Sequence, residues 1–124
     1  MPNQEAVLVV DDEPQASVMM MELVISYGFQ CAAVNSKDAA TDIISKRRFD
    51  IVIADIKTME DLHMISDVRK VQSDVPFLVI TGYGDGFTYE SIVAAGADDF
   101  IKKPFTPVEL SSKLNRILKE RRRQ

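Results

Sequence analysis

Ala6-Val7-Leu8-Val9-Val10-Asp11-Asp12-Glu13-Pro14 is the stretch on which the fold turns. The apolar residues Ala6 to Val10 form a run with no polar interruption, then three carboxylates and a proline follow at once. A strand that is apolar at every position belongs in a parallel sheet covered by helices on both faces. The acidic residues before Pro14 mark the strand's carboxyl end and the first turn of a helix. The same signature recurs where Ile51 to Ala54 ends at Asp55, and where Phe77 to Ile80 ends at Thr81-Gly82. Weaker runs at Gln30 to Val34 and Asp99 to Ile101 bring the expected strands to five.

Between these runs the apolar residues adopt helical spacing: Ala16, Met20, Leu23, Val24 and Tyr27, then Ala40, Ile43 and Ile44, then Ile65, Val68 and Val71. A fourth helix holds Tyr89, Ile92 and Val93. The fifth starts with Thr106 as N-cap, Pro107 at its first position and Glu109 at its third, and carries Leu110, Leu114, Ile117 and Leu118 on one stripe. Strands alternating with helices predict an α/β, doubly wound, five-stranded parallel sheet with five helices. A second apolar row on the first helix, Val18, Met21 and Ile25, is either buried as well or a surface for a partner.

A chain of 124 residues, 46% hydrophobic and 27% charged, builds one core, so residues 1–124 are expected to form a single domain. Nineteen acidic against 15 basic residues leave a net charge of -4, which provides no field for nucleic acid or an anionic membrane. No direct nucleic-acid contact is expected. Cys31 is the lone thiol and excludes an internal disulfide, while Met1 to Glu5 has neither a charged leader nor an apolar signal core. No apolar run approaches the roughly 20 residues of a membrane span, so a cytoplasmic location is expected. Arg121-Arg122-Arg123 reads as a solvated helix end complementing the helix dipole, or as the start of a linker over residues 121–124.

In sheets of this kind ligands bind outside the carboxyl ends of the strands. The residues that follow the apolar runs there are Asp11, Asp12 and Glu13, then Asp55, then Thr81 and Gly82, then Lys103 and Pro104. Each alone has a structural explanation: an acidic helix start, an aspartate opening a turn, a strand-end cap, a surface lysine. Together they put carboxylates, a hydroxyl and an ammonium on one edge. Carboxylates this close repel and call for a cation, and a hard ion bound through oxygen, Mg2+ or Mn2+ in its place, suits them. One histidine, His63, and one thiol disfavour zinc. Asp55, alone at the end of a central strand, is the candidate nucleophile toward a phosphoryl group, with Asp11 and Asp12 as candidate metal ligands. Lys103 supplies a fixed positive charge and Thr81 a hydrogen bond to a phosphoryl oxygen.

The stretches Val9-Val10-Asp11-Asp12-Glu13-Pro14, Asp50-Ile51-Val52-Ile53-Ala54-Asp55, Ile80-Thr81-Gly82-Tyr83-Gly84 and Ala97-Asp98-Asp99-Phe100-Ile101-Lys102-Lys103-Pro104-Phe105 appear in order, and the chain resembles the receiver domains of two-component response regulators from end to end. The resemblance implies a flavodoxin-like sheet of order 2-1-3-4-5. It also implies a phosphoprotein in which Asp55 takes a phosphoryl group from a sensor histidine kinase or phosphotransfer protein. Asp12 and Asp55 would ligate Mg2+ directly and Asp11 through water, with the Lys57 carbonyl completing the set. The Lys103-Pro104 bond would be cis. Thr81 would move toward the phosphoryl group and Phe100 turn inward, repacking a surface that meets an output domain, an effector or a second receiver. The chain is then a signalling phosphoacceptor, not an enzyme, and catalyses only its own phosphorylation and dephosphorylation. The wording Ile80 to Asp85 resembles receivers of nitrogen-regulation-type activators.

After Asp55 the run Ile56-Lys57-Thr58-Met59-Glu60-Asp61-Leu62-His63 lacks the proline and glycine common in the family, and looks one or two residues short. That departure bears on the Lys57 carbonyl as a ligand and supports the alternative of a degenerate receiver serving as a phosphorylation-independent scaffold. Lys57 and Tyr83, two residues beyond Asp55 and Thr81, stand where side chains tune the lifetime of the acyl phosphate in the family. Gly82-Tyr83-Gly84-Asp85-Gly86 matches neither the P-loop nor the dinucleotide fingerprint, and reads as a stretch able to rearrange beside Thr81. A haloacid-dehalogenase-like phosphatase would need an aspartate where Lys57 stands, and acidic strand ends disfavour a flavin.

Overall fold

The computed structural model describes residues 4–82 and 88–122. Strand β1 (Ala6–Val10) leads into helix α1 (Pro14–Ser26), β2 (Gln30–Val34) into α2 (Lys37–Lys46), and β3 (Ile51–Ile56) through a 3-10 turn (Met59–Leu62) into α3 (His63–Arg69). Then come β4 (Phe77–Thr81), α4 (Tyr89–Ala94), β5 (Asp99–Lys102) and α5 (Pro107–Arg122). All neighbouring strands pair in parallel, in the order β2-β1-β3-β4-β5, which is the flavodoxin-like arrangement. Tyr83, Gly84, Asp85, Gly86 and Arg123, singled out in the sequence, lie outside the described residues.

Successive strand residues point to opposite faces, and the two halves of the core follow that alternation. Leu8, Val10, Val52, Ala54, Phe77 and Val79 pack with residues of α2, α3 and α4. Val7, Val9, Ile51, Ile53, Leu78 and Ile80 pack with Val24 of α1 and with Leu110, Leu114, Ile117 and Leu118 of α5. Both faces are thus covered, which is why the inner strands are apolar throughout. The α5 stripe is fully used, and its start is the expected reciprocal cap: Glu109 N–H donates to Thr106 Oγ1 at 3.1 Å and Thr106 N–H to Glu109 Oε1 at 3.2 Å.

One expectation needs correction. Helix α3 stops at Arg69, so Val71 falls outside it and is exposed. Of the two readings of the second row of α1, burial fails for Val18, 44% exposed, and Ile25, 50% exposed. Helix α4 holds Tyr89, Ile92 and Val93 as expected, with Ile92 buried and Tyr89 and Val93 facing solvent. Arg121 and Arg122 lie in the last turn of α5. Arg121 donates to the Asp50 carbonyl at 2.9 Å and pairs with its carboxylate at 3.2 Å, and Arg122 pairs with Glu5. Among the described residues, no helix is long and apolar enough to cross a membrane.

Arg69 ties α3 to the far strands. Its guanidinium donates to the Val75 carbonyl at 3.0 Å, the Gly96 carbonyl at 2.6 Å and Asp98 Oδ2 at 3.1 Å. Gly96 has φ +104°, and a Cβ there would stand 2.7 Å from Arg69 Nη1. Gly28, at φ +99°, has open space around the same position. Gly96→Ala is therefore expected to destabilise by more than about 1 kcal/mol, and by more than Gly28→Ala, because it combines backbone strain with a displaced guanidinium. The comparison of urea midpoints for the two variants checks this.

Candidate functional site

The chain leaves β1 toward β2 on one side and returns to β3 on the other, so the carboxyl ends of β1 and β3 flank the point where the strand order reverses. Asp55 continues the alternation of Ile51 and Ile53 near the end of β3, and its side chain is only 6% exposed. Asp11 follows β1 directly; its N–H donates to the Val34 carbonyl at 3.1 Å, and its Oδ1 accepts from Glu13 N–H at 2.9 Å. Asn35 Nδ2 donates to the Asp11 carbonyl at 2.8 Å and to Ser17 Oγ at 2.9 Å, fixing the turn that presents Asp11 and Asp12. Thr81 closes β4, beside Ile56 in the parallel register, and is buried.

Lys103 reaches back from the end of β5 to place its Nζ 3.0 Å from Asp55 Oδ2. The Lys103-Pro104 peptide is cis. The Lys57 ammonium lies in the middle of the acidic cluster, at 3.1 Å from Asp55 Oδ2, 2.5 Å from Asp12 Oδ1, 3.3 Å from Glu13 Oε1 and 3.5 Å from Asp11 Oδ1. Burial pushes the Asp11 carboxyl above its usual range and the Asp55 charge adds to the push, against the Glu13 N–H bond and the Lys57 charge. The hydrogen bond from Lys57 holds Asp12 below its usual value. For Lys57 itself burial works against the charge, but the bonds to Asp12 and Asp55 outweigh it and the ammonium is held more firmly than a free lysine's.

The donor set fits a hard divalent ion. Carboxylate oxygens of Asp11, Asp12 and Glu13 lie within 4.8 Å of one another. Asp55 Oδ1 is sealed from solvent and, among the described residues, has no hydrogen-bond partner, which is costly for a carboxylate oxygen unless a cation meets it. Among the described residues, four carboxylates face the two ammonium groups of Lys57 and Lys103, an excess equal to the charge of one divalent ion. All the acidic donors are oxygens, the preference of Mg2+ and Mn2+. A groove of about 680 Å³ gives access to Asp11, Asp12 and Asp55, with Asn35, Asp61 and His63 in its walls.

The altered segment after Asp55 has an ordering device that the sequence reading did not identify. Asp61 Oδ2 accepts from the N–H groups of both Lys57 and Thr58 at 3.0 Å, while Asp61 N–H donates to Thr58 Oγ1 at 3.3 Å. The signal was present as Thr58 and Asp61 at capping-box spacing. Asn35 was missed as well, and its contact with a turn 24 residues away carries no local signature. Phe100 packs against the core from its edge. It is half-buried, with its ring 5.6 Å from that of Tyr89 and the Lys113 ammonium 5.7 Å from its centre.

Residues 7–115 match the family described as Response regulator receiver domain. The probable transcriptional regulator ycf27 of Guillardia theta is 29% identical over 118 residues, 94% of this chain but 46% of that protein. NtrX from Brucella abortus superposes with a TM-score of 0.86 at 28% identity, covering 95% of this chain and 27% of that one. A receiver domain protein from Methanospirillum hungatei, 23% identical and covered to 98% on both sides, shares the fold with a TM-score of 0.82. The chain thus spans about half or less of the two longer relatives.

Proposed function

The chain belongs to the response regulator receiver domain family, and from that premise we propose that Asp55 is its phosphoacceptor, taking a phosphoryl group from a phosphohistidine of a sensor kinase or phosphotransfer protein. The observation that carries this reading is the Asp55 carboxylate, buried at the carboxyl end of β3 with Lys103 3.0 Å from one oxygen and, among the described residues, no partner on the other. Asp11, Asp12 and Asp55 would hold Mg2+, with the Lys57 carbonyl as a further ligand. When bound, the ion neutralises charge on the transferring phosphoryl oxygens and on the carboxylates around it.

An Asp55 oxygen forms the new bond to phosphorus as the P–N bond of the donor breaks. The bonding pair returns to the imidazole, which takes up one proton at its other nitrogen. Lys103 is already seated against Asp55 and so costs little reorganisation as charge shifts onto the phosphoryl oxygens. Thr81, buried at the adjacent strand end, offers its hydroxyl to one of those oxygens. Phe100, between Tyr89 of α4 and Lys113 of α5, is the side chain whose inward turn would report the event at the surface of α4, β5 and α5. That surface would then meet an output domain, an effector or a second receiver. Lys57 and Tyr83 would shield the acyl phosphate from water.

Intact mass after incubation with acetyl phosphate, with and without Mg2+, tests the reading. One phosphoryl adduct that forms only with Mg2+ is expected. Its absence from folded protein with Mg2+ present would favour the scaffold alternative, in which the domain binds partners without being phosphorylated.

A further inference from the structure

We propose that the Lys57 ammonium is a resident counter-ion of the acidic pocket, which has to leave the carboxylates before a divalent ion can use them, so that Lys57 sets the affinity of this chain for Mg2+. This rests on the reading of the pocket as a divalent-metal centre. The ammonium is within 3.5 Å of oxygens from four carboxylates, Asp11, Asp12, Glu13 and Asp55. They include the cluster of Asp11, Asp12 and Glu13 and the Asp55 side chain, so one cation contacts every acidic group that a metal would use.

The side chain can enter and leave because its anchor does not depend on the ammonium. Asp61 holds the N–H groups of Lys57 and Thr58 at 3.0 Å, so the backbone stays placed whichever way the side chain points. The ammonium is also not sealed in, for the Lys57 side chain is 38% exposed and opens toward solvent beside Asp12, itself 69% exposed. Asp12 and Glu13 are the outer members of the cluster and the easiest for a departing lysine to remain paired with. Lys103 differs, since among the described residues its ammonium pairs with Asp55 and with none of Asp11, Asp12 and Glu13.

Two consequences follow from mass action. A site whose binding-competent form is only a fraction of the population binds its ligand more weakly by that fraction, so the seated ammonium weakens Mg2+ binding. The same ammonium offsets carboxylate repulsion when no metal is bound, so it stabilises the metal-free domain. Lys57 is thus a positioning residue for the metal, acting through the ligands rather than as one by its side chain.

The test uses the unphosphorylated full chain, freed of metal with a chelator, as wild type, Lys57→Met and Lys57→Gln. Both variants keep the backbone carbonyl and approximate length while removing the charge. Calorimetric titration with MgCl2 should give a Kd lower by about tenfold in both variants, and the metal-free melting midpoint should fall and be recovered by Mg2+. Variants that bind Mg2+ with the wild-type Kd or more weakly would overturn the proposal while leaving the metal centre standing. No Mg2+ binding by wild type or variants would remove the metal reading itself, and the competition with it.

Discussion

Asp55→Asn should give no phosphoryl adduct with acetyl phosphate at any Mg2+ concentration, whereas Lys103→Met should still be modified at a rate lower by about 10²–10³-fold. The two residues touch, at 3.0 Å, yet the effects differ in kind. Asparagine keeps the shape of Asp55 and accepts a hydrogen bond from Lys103, but its amide cannot supply the oxygen nucleophile, so the reaction has no acceptor. Methionine at 103 leaves the nucleophile and removes one of two ammonium groups on its Oδ2, so the lost rate is that of transition-state charge left unneutralised. Intact-mass time courses separate the two outcomes. A residual adduct on Asp55→Asn of the wild-type size would place the acceptor elsewhere, and an unchanged rate for Lys103→Met would deny the lysine its role.

Phe77→Ala is expected to destabilise the domain by about 3–5 kcal/mol, a large part of the 5–15 kcal/mol available to a domain of this size. The ring is completely buried at the start of β4, on the face covered by α2, α3 and α4. Arg69 lies over it at 5.4 Å, and the Phe77 N–H donates to Asp98 Oδ2, the carboxylate that Arg69 also contacts. Removing the ring opens a cavity beside β4, whose other end carries Thr81, and takes away the surface on which the guanidinium rests. Urea unfolding should show a lower midpoint with an unchanged slope. A loss below about 1 kcal/mol would mean that the surrounding side chains collapse into the space. Val108→Ala, at a position 72% exposed, should shift the midpoint little.

The strands and the order of the site residues were readable because burial on both faces forces continuous apolar runs, and each run stops where the chain reaches the chemical edge. Asp11, Asp12, Asp55, Thr81 and Lys103 could therefore be singled out before any distance was known. The α5 boundary was equally legible, since Thr106, Pro107 and Glu109 satisfy one another locally. The helices facing less of the sheet were harder: Val18 and Ile25 fit a buried stripe by spacing, yet one helix can turn only part of its circumference to the core.

Contacts between distant elements decided the remainder. Lys57 was readable as a neighbour of Asp55, but the convergence of four carboxylates on its ammonium depends on β1 lying beside β3. The same adjacency lets Asn35, at the end of β2, hold the Asp11 turn. Gln72 closes the opposite edge in a comparable way, its amide exchanging hydrogen bonds of 3.1 and 2.7 Å with the Phe49 backbone. Local spacing specifies which face of an element is apolar and where it ends, because those properties arise within a few residues of backbone. Which polar group meets which across the sheet is set by strand order, and that order is a property of the whole packed chain.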